Sequence, residues 1–218
     1  MNTTKSQSRA DMVYAEMKKA ILYGYPNFMP DDFLIENKLA EYYNVSKTPV
    51  REALSRLRYE SLVEVIPYKG YFVTNLSYQD LVDLFELRLI LETNITGLAA
   101  QNITSQQLEE LEGLTDQGII DLRENLSLQF RKLNFEFHSI IADASGNKWM
   151  ADVFKQVVQQ MQRSLFHKIN EKDLDELFEE HRELLAFLRD RDSQGALELV
   201  RMQIEKAKER VFQSRKQT

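Results

Sequence analysis

The sequence predicts a mainly α protein, with an N-terminal winged helix-turn-helix unit followed by a C-terminal all-α antiparallel helical bundle. Three observations lead to this prediction. The 218 residues include only 7 Gly and 4 Pro, a composition that favours long helices. Two β-rich runs around a turn lie between residues 62 and 74. From residue 78 onward, apolar residues recur at helical spacing, and the segments between the periodic stretches are short.

The chain is long enough for two small domains, and the pattern divides it accordingly. We expect residues 1–74 to form the winged unit, 75–77 a linker, and 78–218 the bundle. Ala10–Leu22 is the expected first helix of the winged unit. In the bundle, Gly146 is expected to stop the third helix. The six bundle helices are predicted at Tyr78–Gln101, Ser105–Arg123, Ser127–Ala144, Lys148–Ile169, Asp173–Arg189 and Ser193–Arg215.

Composition excludes several kinds of protein. The chain has no cysteine, so disulfides and thiolate metal sites are excluded. No apolar stretch is long enough for a membrane span, and the polar first residues do not resemble a signal peptide. We therefore expect a soluble cytoplasmic protein without a membrane partner.

The charge is unevenly distributed along the chain. The net charge is −6 overall, but residues 1–76 contain ten Lys+Arg against nine Asp+Glu, and the acidity lies in the remainder. Average charge says little about one surface. An almost neutral first part predicts modest non-specific affinity for a polyanion.

The helix predicted over Ser46–Arg58 organises the N-terminal part. Val50, Ala53, Leu54 and Leu57 recur at the spacing of one buried stripe, which puts Pro49 in the first turn. Either Ser46 or Thr48 is suited to cap the helix. The other face carries cations and hydroxyls suited to phosphates and base edges: Lys47, Thr48, Arg51, Ser55 and Arg58. The alternative is an ordinary amphipathic helix with a solvated charged face.

The flanking segments favour a DNA-binding interpretation. Phe33–Tyr43 has helical spacing, and Asn44 suits the tight turn that follows. Helix, short turn and cationic helix together are typical of a helix-turn-helix. The β-rich runs at 62–66 and 71–74 predict a hairpin behind the cationic helix, which is a wing with Lys69 at its tip.

These residues resemble a known family. The segment VSKTPVREALSRL from Val45 to Leu57, followed by GYFV from Gly70, closely resembles the winged helix of GntR-family bacterial transcription regulators. The resemblance implies operator contacts at Ser46, Lys47, Thr48, Arg51 and Arg56 and a wing glycine at Gly70. Some relatives carry Arg at the position of Asn37, and neighbouring Lys38 is the candidate to replace it.

The second part resembles the FCD ligand-sensing domain of the FadR-type branch, in its six-helix, VanR-like version. The matching segments are LFELRLILE at Leu84–Glu92, FEFH at Phe135–His138 with ASGN at Ala144–Asn147, and EHRELL at Glu180–Leu185. They cover most of residues 78–212, although each is looser than the DNA-binding motif.

The same resemblance implies a site inside the bundle. Relatives bind a divalent metal through Asp, His, His and His, where this chain has Asn134, His138, His181 and Gln203. Neutral amides are poor zinc ligands, so we expect no tightly bound cofactor and at most weak metal binding by His138 and His181.

Arg88 is also expected at this site, with Arg163 as a second cation, so the six residues would suit a small carboxylate effector. The alternative is that Arg88 pairs with Glu92 or another helix carboxylate.

The resulting hypothesis is an effector-responsive regulator, a repressor that binds double-stranded operator DNA of palindromic sequence as a homodimer. One alternative is a metal- or metabolite-binding bundle whose winged helix mediates protein contacts. Another is an enzyme housed in the bundle, but no nucleophile, phosphate-loop or dinucleotide motif supports it. We therefore expect no enzymatic activity.

Overall fold

The computed structural model describes residues 8–121, 126–162 and 171–215. The chain divides between Ser77 and Tyr78 into two compact units, and each is described by itself. The N-terminal unit has the order α1 (Arg9–Tyr23), β1 (Phe33–Leu34), α2 (Glu36–Tyr42), α3 (Lys47–Tyr59), β2 (Val63–Ile66) and β3 (Gly70–Val73). The C-terminal unit has α4 (Tyr78–Asn102), α5 (Ser105–Asp121), α6 (Leu126–Ala144), α7 (Lys148–Gln162), α8 (Glu171–Arg189) and α9 (Ser193–Arg215).

The core of the N-terminal unit forms where α1 packs against α3. The four apolar residues predicted to form the stripe of α3 are completely buried, which confirms the helical spacing. From α1, Val13 and Met17 are equally buried in the same cluster. Helix α1 begins with a capping box, in which Ser8 and Asp11 exchange hydrogen bonds between side chain and backbone. The packing therefore fixes which face of α3 is directed to solvent.

The connection from α2 to α3 is the predicted tight turn. Asn44 has φ 51°, in the left-handed region that Asn tolerates, and the amide of Val45 donates to the carbonyl of Ala40 at 2.9 Å. Pro49 lies in the first turn of α3, as predicted. Ser46 occupies the N-cap position, but its side chain makes no capping hydrogen bond.

A three-stranded antiparallel sheet of order β1-β3-β2 completes the N-terminal unit. Val63 pairs with Val73 in the wing hairpin, and Gly70 has φ 107°, a conformation that only glycine adopts easily. The prediction that the helix preceding the turn starts at Phe33 is wrong. Phe33–Leu34 is a strand, because Leu34 pairs with Tyr71 across the edge of β3 and is buried there.

In the C-terminal unit, α4 packs against α9, α6 and α7, while α8 packs against α5 and α9. Gly146, with φ 76°, ends α6 as predicted. Arg191 contacts the C-terminal end of α4, since its guanidinium donates to the carbonyls of Gln101 at 2.7 Å and Ile103 at 2.9 Å. These contacts satisfy carbonyl groups that the end of α4 leaves without a helical partner. The predicted extension of α7 to Ile169 lies outside the described residues.

Candidate nucleic-acid interface and buried polar cluster

The outward face of α3 carries most of the residues that the sequence singled out for DNA. Ser46, Lys47, Thr48 and Arg51 are exposed along the first turns of this helix. Because the Ser46 side chain does not cap the helix, it leaves the N-terminal amides of α3 to an external acceptor. The positive end of the helix dipole adds to the attraction for a phosphate there.

The remaining predicted contacts surround this face. Lys38 is exposed on α2, and Lys69 is exposed at the tip of the wing beside half-buried Gly70. Nearby Tyr68 has φ 65°, and Gly70, the first residue of β3, has φ 107°, so two residues with positive φ flank Lys69 at the wing turn. Lys38 and Lys69 therefore add exposed cations on α2 and the wing to the same compact unit as α3.

Arg51 and Arg56 are each held by a carboxylate. The Nε of Arg51 lies 2.7 Å from a carboxylate oxygen of Glu36, the first residue of α2. Arg56 pairs with Asp11 at 2.7 Å, and its guanidinium lies 3.7 Å from the centre of the Tyr14 ring. The sequence did not indicate either partner. Arg56 therefore connects α3 to α1, and its side chain is still about half exposed.

The bundle contains a buried polar cluster centred on Glu92, which is 2% exposed. Its carboxylate accepts a hydrogen bond from Nε of Arg88 at 2.6 Å and another from Nδ1 of His138 at 2.7 Å. Burial by itself would raise the pKa of Glu92, but the Arg88 charge and His138 outweigh it and lower the pKa to about 2. Glu92 is therefore ionised, and the alternative considered from sequence, an Arg88–Glu92 pair, is present.

His181 and Asn134 lie next to this pair. Nε2 of His181 is 3.1 Å from the amide oxygen of Asn134, and the His181 ring stacks on Phe137 with centroids 4.1 Å apart. The centroids of the His138 and His181 rings are 5.4 Å apart. Burial, assisted by the positive charges nearby, holds the pKa of His181 well below its usual value. Its imidazole is therefore neutral at pH 7.

Gln203, another predicted site residue, contacts the backbone of a neighbouring helix. Gln203 uses its amide group to donate to the backbone carbonyl of Glu180 at 2.9 Å, which joins α9 to α8 immediately before His181. Arg163 lies outside the described residues. The structure thus brings Arg88, Asn134, His138 and His181 together around Glu92, a carboxylate that sequence reasoning considered only as a partner for Arg88.

Comparison with known proteins agrees with this architecture. Residues 9–73 match the gntR family of bacterial regulatory proteins, and residues 83–206 match the FCD domain. The regulator McbR of Escherichia coli is 30% identical over 169 residues, which cover 76% of each chain. The chain belongs to the GntR family, in the branch that carries an FCD domain.

Other relatives of this GntR regulator have names of the same kind. The repressor GlaR of Escherichia coli is 28% identical and covers 88% of this chain and 90% of its own. The Nta operon regulator of Aminobacter aminovorans is 29% identical, with 83% and 84% covered. The solved structure of McbR superposes with a TM-score of 0.84 and 27% identity, covering 95% of this chain and 98% of the McbR chain. The chain is thus a DNA-binding transcription regulator, and the expectation of no enzymatic role is confirmed by these relatives.

The donor chemistry of the cluster does not fit the metal that the family resemblance implies. In the described part of the chain, no group of three or more His, Asp or Glu side chains is arranged to hold a metal ion. The Glu92 carboxylate is already engaged by Arg88 and His138, and amides occupy the other two family positions. Two imidazoles and two amides would leave a divalent ion without a negative ligand, beside a fixed positive charge.

None of the described helices combines the length and the apolar character needed to cross a lipid bilayer.

The Glu92 cluster predicts a specific stability change. Glu92→Gln should lower the free energy of unfolding by roughly 2–4 kcal/mol at pH 7, because it removes one partner of a buried ion pair and leaves Arg88 without its anion. Glu92 has its pKa lowered from 4.5 to about 2, so its stabilising contribution is complete above pH 4.5 and is lost as the pH falls toward 2. The difference between wild type and Glu92→Gln should shrink in the same direction.

Urea titrations of both proteins, from pH 7 to the lowest pH at which they remain folded, would measure this difference. Glu86→Gln is the matched control, because Glu86 is exposed on the same helix. Equal stability of Glu92→Gln and Glu86→Gln at pH 7 would contradict the interpretation.

Proposed function

We propose that this regulator is a repressor that binds a palindromic operator as a homodimer and responds to a small carboxylate metabolite in its bundle. The observation that carries the proposal is the exposed α3 face, with cations, hydroxyls and an uncapped helix start, in one chain with a buried Arg88 cluster. GlaR, one of the relatives, is named a repressor, which supports that sign of regulation.

The proposed DNA contacts divide by chemistry. Ser46, Lys47 and Thr48 surround the start of α3, where hydroxyls, an ammonium group and free amides suit the phosphate backbone. Arg51 lies one turn further along the same face, where a guanidinium can read the edge of a guanine. Lys38, Arg56, Lys69 and Gly70 complete the set, with Lys69 at the wing and Lys38 on α2.

Dimerisation follows from the size of this surface, since one winged helix reads only a half-site. The bundle exposes apolar side chains on two adjacent helices: Ile90 on α4 is 62% exposed, and Trp149 on α7 is 80% exposed. Leu87 and Val153 are also partly exposed on the same two helices. Such residues support a contact with a second copy through α4 and its neighbours.

The effector chemistry follows from the hydrogen bonds of the cluster. Arg88 uses Nε for Glu92, and its terminal nitrogens retain the N–H groups that hold a carboxylate in a bidentate pair. His138 and His181 have one ring nitrogen each outside the hydrogen bonds described above. Asn134 orients His181, and Gln203 reaches the adjacent backbone. Effector binding would act by favouring one of two arrangements of the dimer.

The DNA surface yields the first prediction of function. Arg51→Ala should weaken specific binding by about 1–3 kcal/mol and relax preference at one operator position, because a base contact is lost. Lys69→Ala should weaken specific and non-specific duplexes alike and reduce the salt dependence, because a phosphate contact is lost. Fluorescence anisotropy titrations at two salt concentrations would measure both. Equal operator affinity of wild type and Arg51→Ala would contradict the assignment.

The second prediction concerns assembly. The protein should sediment as a dimer at micromolar concentration, and Ile90→Asp should shift it toward monomer, because a charge in an apolar contact is not compensated. Analytical ultracentrifugation would measure the state of each variant. Glu109→Lys is the control, since it also changes an exposed charge but lies on α5, away from α4 and α7. A wild-type protein that remains monomeric with and without DNA would refute the proposal.

The third prediction tests the effector. In a thermal-shift screen of small carboxylic acids, a ligand that binds only the folded state should raise the unfolding midpoint of the wild type. Arg88→Lys should reduce that shift, because Lys keeps the charge beside Glu92 but lacks the planar fork. Conversely, near-stoichiometric zinc, nickel or manganese retained after dialysis, measured by mass spectrometry, would show that the site binds metal and that this interpretation of the donors is wrong.

A further inference from the structure

The ion pair between Arg51 and Glu36 joins the two helices of the helix-turn-helix. Glu36 is the first residue of α2, and its carboxylate reaches fifteen residues along the sequence to Nε of Arg51 at 2.7 Å. The Glu36 side chain is 27% exposed and the Arg51 side chain is 63% exposed. The carboxylate therefore holds the guanidinium at Nε, while most of the Arg51 side chain remains in solvent. An exposed pair of this kind contributes little to folding. The main effect of the pair is therefore on the position of the Arg51 guanidinium.

We propose that Glu36 is a positioning residue for base recognition, which holds the Arg51 guanidinium so that it reads a base edge and does not collapse onto phosphate. This rests on the proposed role of Arg51 as the base-reading residue. A guanidinium has five N–H donors in a fixed plane. When Glu36 occupies the Nε–H, the terminal nitrogens are left as a fork, and a fork matches the two acceptors, O6 and N7, of guanine.

The charge of Glu36 acts in the same direction as its geometry. A carboxylate 2.7 Å from the guanidinium offsets the positive charge of Arg51, which weakens its attraction to the DNA backbone. The carboxylate itself is repelled by phosphates. A guanine edge offers hydrogen bonds without a formal charge, so Glu36 disfavours the backbone contact more than the base contact. Glu36 thereby increases the ratio of specific to non-specific binding.

The pairing of Arg56 provides a useful contrast. Arg56 also has a carboxylate partner, Asp11, but its guanidinium in addition lies against the Tyr14 ring and so connects α3 to α1. Arg51 has the Glu36 contact on the DNA-facing side of α3, close to the uncapped helix start. A role for Glu36 in helix stability alone, through its favourable place in the first turn of α2, is the structural alternative.

The test uses the full-length protein and a double-stranded DNA library with a randomised central region, from which bound sequences are selected and sequenced. Wild type, Arg51→Ala, Glu36→Gln and Glu36→Asp are compared, with Glu41→Gln as the matched control. Glu41 is an exposed carboxylate on the same helix as Glu36, and its substitution changes the charge equally. A fixed duplex without the selected motif reports non-specific affinity, and thermal midpoints verify folding.

The expected result is position-specific. Glu36→Gln should reduce base preference roughly 3- to 10-fold at the position that Arg51→Ala also relaxes, and leave the other positions unchanged. Its non-specific affinity should rise, as it should in Glu41→Gln, whose selected motif should equal that of the wild type. Glu36→Asp keeps the charge with a shorter reach, so it should lose part of the base preference without a gain in non-specific affinity.

Two results would overturn the inference, and they differ in what they say about Arg51. If Arg51→Ala relaxes one position while Glu36→Gln selects the wild-type motif, Glu36 has no positioning role and Arg51 still reads a base. If Arg51→Ala itself selects the wild-type motif, the base-reading role proposed for Arg51 fails, and the role of Glu36 fails with it. A thermal midpoint that falls in Glu36→Gln without any change of motif would establish the structural alternative instead.

Discussion

The apolar stripe of α3 is buried completely against α1, and this contact determines which residues of the N-terminal unit are exposed to solvent. A helix that buries Val50, Leu54 and Leu57 on one side directs its opposite face to solvent. Arg51 and Lys47 are exposed on that opposite face. The tight turn at Asn44 then sets α2 beside α3, which brings Glu36 within reach of Arg51. The packing of α3 against α1 therefore determines both which face of α3 is exposed and where the Arg51–Glu36 ion pair lies.

The bundle differs from the N-terminal unit because it buries charged side chains in its interior. Arg88 could remain inside the bundle only with an anion, and Glu92, one turn away, supplies it. His138 uses the second oxygen of the same carboxylate, so both oxygens of Glu92 are engaged. Because Glu92 already balances Arg88, an added carboxylate would bring a net negative charge into the cluster. The cluster therefore favours a ligand that satisfies several donors at once over a bare anion held by charge alone.

Local patterns predicted the elements whose cause is local. Helical spacing predicted α3 and its exposed face. The glycine between two β-rich runs predicted the wing hairpin, and Asn44 predicted the tight turn before α3. Strand β1 was missed because Phe33 and Leu34 are apolar in either interpretation, and only pairing with Phe72 and Tyr71, distant in sequence, makes them a strand. Of the residues that the family resemblance put at the bundle site, Arg88, Asn134, His138 and His181 lie close together. Their arrangement around Glu92 depends on a contact with His138 from another helix, which spacing within α4 cannot reveal.

The acidic net charge and the DNA-binding role are compatible once the paired cations are considered. With Arg51 and Arg56 offset by Glu36 and Asp11, long-range attraction to the duplex depends on other exposed cations, among them Lys38, Lys47, Arg58 and Lys69. Few phosphate contacts mean weak non-specific binding and a shallow salt dependence. A protein built in this way would spend less time on unrelated DNA, and its occupancy of an operator would depend more strongly on base contacts. If Arg51 reads a base as proposed, Glu36 therefore lowers the affinity for DNA in general and preserves selectivity for one sequence.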